Sequence, residues 1–269
     1  YFTEHLVLAT PDNGVATAIY AACKATVKVG DGKEITLHEE TNYPFEEAIA
    51  FTVSTGEKVA FPFYLRIPSW TQKAEVRVNG KKVSAAPVAG KYLCINREWA
   101  NGDRVELTLP MSLSMRTWQV NKNSVSVDYG PLTLSLKIAE KYVEKDSRET
   151  AIGDSKWQKG ADSKKWPTTE IYPDSPWNYS LVLDKKEPLK NFKVIRKSWP
   201  TDNYTFTVAS VPLEVKAIGR PVPEWKIDET GLCGVLPEED AVKGDKEEIT
   251  LIPMGAARLR ISAFPNTKE

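Results

Sequence analysis

The sequence predicts an all-β fold of the sandwich type, and three observations lead to this prediction. Apolar residues alternate with polar ones over many short runs, which is the period of a β-strand. Asn-Gly and Gly-rich turns separate several of these runs. No window of a dozen residues keeps a helical period without meeting one of the 18 prolines, which interrupt helices. A doubly wound α/β enzyme is therefore excluded.

Alternation is clearest over 61–67 and over 105–109, where every second side chain is apolar. One face of each of these strands is expected to be buried. Pro62 and Pro68 lack a backbone N–H, which predicts that their strand lies at a sheet edge or contains a bulge. The same alternation predicts further strands at Val125 and Val127, Leu132–Ile138, Tyr204–Val208, and Leu259 and Ile261.

Turn residues predict how the strands connect. Asn79-Gly80 lies between two alternating runs, and both residues tolerate the positive φ that a type I′ hairpin turn requires. The register of this hairpin directs Val76 and Val78 toward the core. Residues 30–33 (GDGK) predict the longer loop of a second hairpin, and residues 101–103 (NGD) predict a third tight turn.

The 269 residues suggest two domains at about 150 residues each. The domain change is expected at 118–124, which gives a first β-sandwich domain over 1–120 and a second over 121–269. Residues 139–178 have mixed charge and no clean period, so they are predicted to form a long aromatic-rich loop, either functional or a decorated connection.

Trp157, Trp166 and Trp177 in this loop have two interpretations. The indole rings either pin the connection onto a sandwich by burial, or offer their faces to sugar rings. Burial is favoured, because an ordered segment must offset a chain entropy of about 1–2 kcal/mol per residue with buried apolar area. As a sugar platform, the same three residues are the candidate substrate-binding site.

No catalytic residue is predicted in this chain. The two histidines, His5 and His38, do not assemble into a recognisable triad. Neighbouring acids such as Glu39 and Glu40 point to opposite faces of a strand, so they cannot flank one glycosidic bond, and we expect them to be solvated.

Cysteine spacing and charge exclude further classes. Cys23, Cys94 and Cys233 are too far apart in sequence for a zinc or redox motif, so no metal site is predicted and the thiols are expected in the core. The 36 basic residues balance the 36 acidic ones, which gives no electrostatic reason to expect nucleic acid or an anionic membrane. The chain begins with Tyr1, and we expect it to be a segment of a longer precursor.

A series of blocks, in order and spacing, resembles a known signature. The blocks are Glu39–Phe45 (EETNYPF), Phe61–Trp70 (FPFYLRIPSW), Val76–Gly80 (VRVNG), Gly90–Tyr92, Arg97–Trp99, Gly102–Leu107, Leu109–Met111 and Gly130–Leu132. They resemble the region after the catalytic barrel in glycoside hydrolase family 127, the β-L-arabinofuranosidase family.

The resemblance implies an upstream (α/α)₆ barrel that carries catalysis, followed by two jelly-roll-like β-sandwich domains that correspond to this chain. In that family the nucleophile is a cysteine in a zinc site with a glutamate and an adjacent Cys-Cys pair. No Cys-Cys occurs here, and Cys23 lies beyond the end of the implied barrel, so the nucleophile is not carried onto it. We expect no cofactor in this chain and zinc in the missing barrel.

The resemblance further implies accessory domains of a bacterial glycoside hydrolase, periplasmic or extracellular, that acts on arabinose-containing glycans. The expected partners are the upstream barrel, carbohydrate, and a second copy of the chain in a homodimer. Two alternatives stay open: a pair of carbohydrate-binding modules, and immunoglobulin-like scaffold or adhesion domains.

Overall fold

The computed structural model describes residues 3–146, 162, 164–238 and 244–268. The regular elements among the described residues are β-strands and short 3-10 helices such as Thr3–His5 and Met254–Ala256, which confirms the all-β prediction. Nowhere in these ranges is there a helix with the length and apolar character needed to span a membrane. Two compact units are present: one extends to Leu113 and includes Tyr129–Leu132, and the other comprises Ser114–Asp128 and the residues from Thr133 onward.

The first unit is a sandwich of two sheets. Its strands are β1 (Val7–Ala9), β2 (Val15–Thr17), β3 (Cys23–Val29), β4 (Lys33–Thr41), β5 (Ala48–Thr55), β6 (Val59–Arg66), β7 (Glu75–Val78), β8 (Lys81–Lys82), β9 (Tyr92–Trp99) and β10 (Arg104–Thr108). One sheet has the order β1-β2-β6-β9, and the other has the order β3-β4-β5-β10-β7-β8. The neighbours pair antiparallel except for β2, which runs parallel to β6.

The two sheets share one hydrophobic core. The inward side chains of β6 include Phe61 and Phe63, both buried as the alternation predicts. The Phe63 ring meets Phe51 of the opposite sheet edge to face, with centroids 5.4 Å apart. Trp99 at the end of β9 is also buried, and its indole N–H donates to the Phe61 carbonyl oxygen at 3.0 Å.

The proline-containing strand β6 is central, so its prediction as an edge strand is wrong. It pairs with β9 along its length and with β2 from Phe63 onward. Pro62 directly precedes Phe63, the first residue of β6 that pairs with β2. The N–H that proline lacks is therefore not needed for the pairing with β2. Gly14 makes room there, since a Cβ at this position would lie 2.3 Å from the Pro62 carbonyl oxygen and 2.6 Å from its Cγ.

The predicted turns are present. Asn79 and Gly80 have φ values of 50° and 75° and connect β7 to β8 in the type I′ sense, with Val76 and Val78 buried. Residues 30–32 connect β3 to β4, and Lys33 is already the first residue of β4. The turn at 101–103 joins β9 to β10, which belong to different sheets, so it forms a corner of the sandwich rather than a hairpin.

Gly80→Val should destabilise the first unit by about 1–3 kcal/mol, because a β-branched residue is strained at positive φ. A Cβ at Gly80 would meet nothing within 4 Å, so backbone strain is the expected cause. The matched control is Gly56→Val, which is equally open and is not held at positive φ; it should change stability by less than about 0.5 kcal/mol. Equal urea midpoints for the two variants would contradict this account of the turn.

The second unit is built on one large sheet and a separate strand pair. Its strands are β11 (Leu113–Trp118), β12 (Ser124–Tyr129), β13 (Leu132–Leu136), β14 (Glu140–Lys145), β15 (Thr168–Pro173), β16 (Tyr179–Leu183), β17 (Lys193–Arg196), β18 (Leu213–Pro221), β19 (Glu247–Pro253) and β20 (Asn266–Lys268). The large sheet has the order β11-β12-β13-β19-β18-β16-β20, and β17 also pairs with β18. β20 runs parallel to β16, and just before it Phe264 forms an isolated bridge with Val125 of β12.

The segment 139–178 is not a loop throughout, which corrects the prediction for its ends. β14 and β15 form an antiparallel pair from Glu140 opposite Pro173 to Lys145 opposite Thr168. Both strands are mostly exposed or half-buried. They therefore lack the alternation of buried apolar and exposed polar residues by which a strand is predicted from a sequence.

Two predicted strands of the second unit are absent. At Tyr204–Val208 the chain turns, because Thr207 accepts hydrogen bonds from the backbone of Val211 at its carbonyl and of Ser210 at its hydroxyl. Such local bonds compete with a strand ladder. Around Leu259 and Ile261 the chain makes no ladder either: Ile261 bonds to β13 through the backbone N–H of Leu136 and the hydroxyl of Ser135.

Candidate functional site

A groove of about 790 Å³ opens on the second unit. Its walls are residues 170–173 of β15, Trp177, the loop 227–233 and residues 258–261, with Ile138 also contributing. We call this the second-unit groove. Its volume lies in the range of about 300–1,000 Å³ that small-molecule sites occupy.

Trp177 is held in place at the wall of this groove. Its half-buried ring meets the buried indole of Trp225 edge to face, with centroids 5.2 Å apart and planes at 64°. The next residue, Asn178, donates its side-chain amide to the carbonyls of Val222 and Trp225 at 2.9 and 3.1 Å. These hydrogen bonds hold the turn that carries Trp225 next to the backbone of Trp177. The Trp177 ring is therefore constrained by the fold itself.

The loop 227–233 is ordered by one carboxylate. Asp228 accepts hydrogen bonds from the Thr230 hydroxyl at 2.6 Å and from the backbone N–H groups of Thr230 and Leu232, each at 2.9 Å. The bond from the Thr230 hydroxyl, followed by that from the Leu232 N–H, lowers the pKa of Asp228 below its usual value. The loop therefore presents an ionised carboxylate in a fixed conformation.

Polar groups of both signs surround the aromatic wall. Arg258 and Arg260 bring guanidinium donors, and Glu170 brings a carboxylate besides that of Asp228. The Tyr172 hydroxyl donates to the Glu170 carboxylate, which raises the pKa of Tyr172. Arg260 donates through Nε to the Ala257 carbonyl oxygen at 2.8 Å, which constrains its side chain. The groove thus offers donors and acceptors without a strong excess of one charge.

The three predicted tryptophans do not share this groove. Trp177 lines it, whereas Trp157 lies outside the described residues. Trp166 is 66% exposed and is not among the groove residues, so the expected burial is wrong for this indole. The sequence interpretation also missed Trp225 and the Asp228 turn, although the spacing Asp228-x-Thr230-Gly231 is a turn signal.

A second polar site lies inside the first unit, at Glu39 of β4. Glu39 is 1% exposed, so the prediction that it is solvated is wrong, while its neighbour Glu40 points outward and is exposed. One carboxyl oxygen accepts the backbone N–H of Ala21 at 3.0 Å, and the other lies 3.8 Å from the Cys23 sulfur. Burial raises the pKa of Glu39 to about 8, which keeps the carboxyl protonated near neutral pH.

The comparisons with known proteins identify the first unit. Residues 14–111 match the family described as Beta-L-arabinofuranosidase, GH127 middle domain. The first unit is therefore similar to a GH127 middle domain. The resemblance inferred from the sequence blocks is confirmed, and most of those blocks fall within the matched range.

Solved structures share the fold of the chain. A GH127 beta-L-arabinofuranosidase from Geobacillus stearothermophilus T6 has 21% identity and a TM-score of 0.64, covering 99% of this chain and 35% of its own. A structure described as a glycoside hydrolase has 22% identity, a TM-score of 0.61 and coverage of 95% and 36%. A GH127 beta-arabinofuranosidase has 21% identity, a TM-score of 0.61 and coverage of 96% and 36%. The chain therefore spans about a third of the length of these structures. No curated protein matches it.

In the first unit, the Cys23–Glu39 pair does not have the chemistry of a nucleophile and its base. Burial, followed by the nearby Glu39 carboxyl, raises the pKa of the Cys23 thiol to about 11. A nucleophilic cysteine needs the opposite shift, because the thiolate is the reactive form. The pair is a buried acid beside a thiol, and the structure assigns it to the packing of the domain.

The cysteines also do not fit the zinc site of the family. Across the part of the chain that the structure describes, no three His, Cys, Asp or Glu side chains come together as a metal site. Cys94 and Cys233 are exposed and only Cys23 is half-buried, so the expectation of core thiols is wrong for the first two. Cys94 lies on the outward face of β9, between the inward Leu93 and Ile95.

Proposed function

We propose that this chain forms the non-catalytic β-sandwich region of a glycoside hydrolase that acts on arabinose-containing glycans. The observation that carries the proposal is the match of residues 14–111 to the GH127 middle domain. In the proposal, catalysis belongs to an (α/α)₆ barrel upstream, and the two units brace that barrel. The likeness along nearly the whole chain to structures about three times as long supports a role as one region of such an enzyme.

The arrangement of acids supports a non-catalytic role. Glycoside hydrolysis commonly uses two carboxyl groups on either side of the scissile bond, about 5–5.5 Å apart in retaining enzymes and farther apart in inverting ones. Glu39 is enclosed in the domain and Glu40 faces the other side of the sheet. Glu39 has the raised pKa of a general acid, but no substrate can reach it.

The chain alone should not release nitrophenol from 4-nitrophenyl β-L-arabinofuranoside. The GH127 enzyme from Geobacillus stearothermophilus serves as the positive control, and buffer gives the background rate. Release that scales with the concentration of the chain, and that Glu39→Gln or Glu170→Gln abolishes, would overturn the proposal. Release that separates from the chain on further purification would identify a contaminant, which supports the non-catalytic assignment.

The role as an accessory region can be tested on the coding sequence that adjoins Tyr1 in the source genome. An upstream run of helical repeats with an adjacent Cys-Cys pair would support the proposal. Further β-sandwich repeats in that position would overturn it in favour of a scaffold or adhesion protein.

A further inference from the structure

We infer that the second-unit groove binds a neutral oligosaccharide, with the Trp177 ring as its stacking surface. The inference rests on the proposed function for its glycan context. Its physical argument comes from the groove itself, which combines an anchored aromatic ring with polar groups of both signs in one concavity of about 790 Å³.

The aromatic wall suits a sugar ring. A pyranose or furanose has an apolar C–H face that packs on an indole, while its hydroxyl groups point outward to polar partners. Trp177 is half-buried and meets Trp225 at 64°, an edge-to-face contact. A ring that is fixed in advance binds without losing side-chain entropy, which favours a weakly interacting ligand such as a sugar.

The polar lining selects an uncharged ligand. Sugar hydroxyls both donate and accept, and the groove supplies guanidinium donors from Arg258 and Arg260. It also supplies carboxylate acceptors from Glu170, Asp228 and Glu229. A polyanion would meet these carboxylates, whereas a cation would meet the two arginines. A neutral oligosaccharide is repelled neither by the carboxylates nor by the arginines.

Trp177 and Trp166 differ in their position relative to the groove. Trp166 is the more exposed indole, but it does not line the groove. If exposure alone decided sugar binding, Trp166 would matter more than Trp177. If the groove decides it, Trp177 matters and Trp166 does not.

The test is titration of the full chain with arabinotriose and with cellotriose as neutral probes, followed by calorimetry and tryptophan fluorescence. Trigalacturonate is the charged comparison. We expect saturable binding of at least one neutral trisaccharide, with weaker or no binding of trigalacturonate. Trp177→Ala should weaken that binding about tenfold or more, and Trp177→Phe should restore most of it, because a ring face is retained.

Trp166→Ala is the matched control and should leave the affinity unchanged. If Trp177→Ala lowers the melting temperature because Trp225 loses its neighbour, Arg258→Ala gives a second test at an exposed position, and it should weaken the same binding without loss of fold. The absence of saturable binding by either neutral trisaccharide would overturn the inference, as would binding lost in Trp166→Ala but kept in Trp177→Ala. The hydrolysis assay is independent of these results, so failure of the groove leaves the accessory role standing.

Discussion

The wild-type chain should lose stability relative to a Glu39→Gln variant as the pH rises from about 4.5 to about 8. Burial holds the pKa of Glu39 near 8 in the folded state, against an ordinary value of 4.5. In that window the unfolded carboxyl is ionised while the folded one keeps its proton, so each pH unit costs about 1.4 kcal/mol of stability. The contribution of the protonated acid is complete below pH 4.5 and is lost as the pH passes through 8.

The structural cause is the position of Glu39 on the inward face of β4, where Ile35 and Leu37 are its buried neighbours. Glutamine keeps an oxygen that accepts the Ala21 N–H, but it has no proton to lose. The variant should therefore be least different from wild type in acid and progressively more stable than wild type as the solution becomes alkaline.

The measurement is urea unfolding of the full chain between pH 4 and pH 9, followed by hydrogen exchange in the peptides of β4. Glu40→Gln is the matched control, because Glu40 is adjacent in sequence but exposed, with a surface ion pair to Arg104 at 3.3 Å. A surface pair contributes about 0–1 kcal/mol, so this variant should track wild type. Parallel stability curves for wild type and Glu39→Gln would show that Glu39 is ionised in the folded protein.

Trp99→Ala should destabilise the first unit by about 3–5 kcal/mol, the usual cost of removing a large aromatic side chain from a core. Trp99 is fully buried and lies 5.7 and 5.9 Å from the ring centroids of Phe61 and Phe63. Its removal leaves a cavity between the sheets and takes away the hydrogen bond that the indole N–H donates to the Phe61 carbonyl oxygen.

Two further variants separate these contributions in chemical denaturation. Trp99→Phe keeps part of the ring volume but loses the hydrogen bond. Its free energy of unfolding should therefore lie between those of wild type and Trp99→Ala. The exposed Trp166→Ala should stay within about 0.5 kcal/mol of wild type, as surface changes do. A small effect of Trp99→Ala, similar to that of Trp166→Ala, would show that the core repacks around position 99.

The sequence predicted those parts of the fold in which local chemistry and tertiary environment agree. At 61–67 the alternation matches a strand with one buried face, and at Asn79-Gly80 the residue types match the φ values that the turn adopts. The position of a strand within its sheet could not be predicted from local sequence in this way. Pro62 signalled an edge strand, but the partner that makes a central position tolerable is Gly14, which lies far away in sequence.

The candidate groove was less predictable, because its residues come from separate segments. Trp177 was identified from the aromatic content of its segment, but the contact with Trp225 and the clamp by Asn178 depend on the folded path of the chain. Glu39 was assigned to solvent because charged side chains are usually exposed. Only its register on β4, opposite Cys23 and in line with Leu37, reveals that it faces inward.

The last strand gives the second unit a constraint on its order of assembly. Phe264 bridges to β12, Ser262 accepts a hydrogen bond from Ser126 across 136 positions of sequence, and β20 adds to β16 in parallel. Closing such long loops costs more entropy than closing hairpins, and contacts between distant parts of a chain slow folding. During synthesis, β12 and β16 leave the ribosome well before the segment that joins them. Until residues 266–268 emerge, the edge of β16 that pairs with β20 is unpaired, and an unpaired strand edge is a site at which a nascent chain can aggregate.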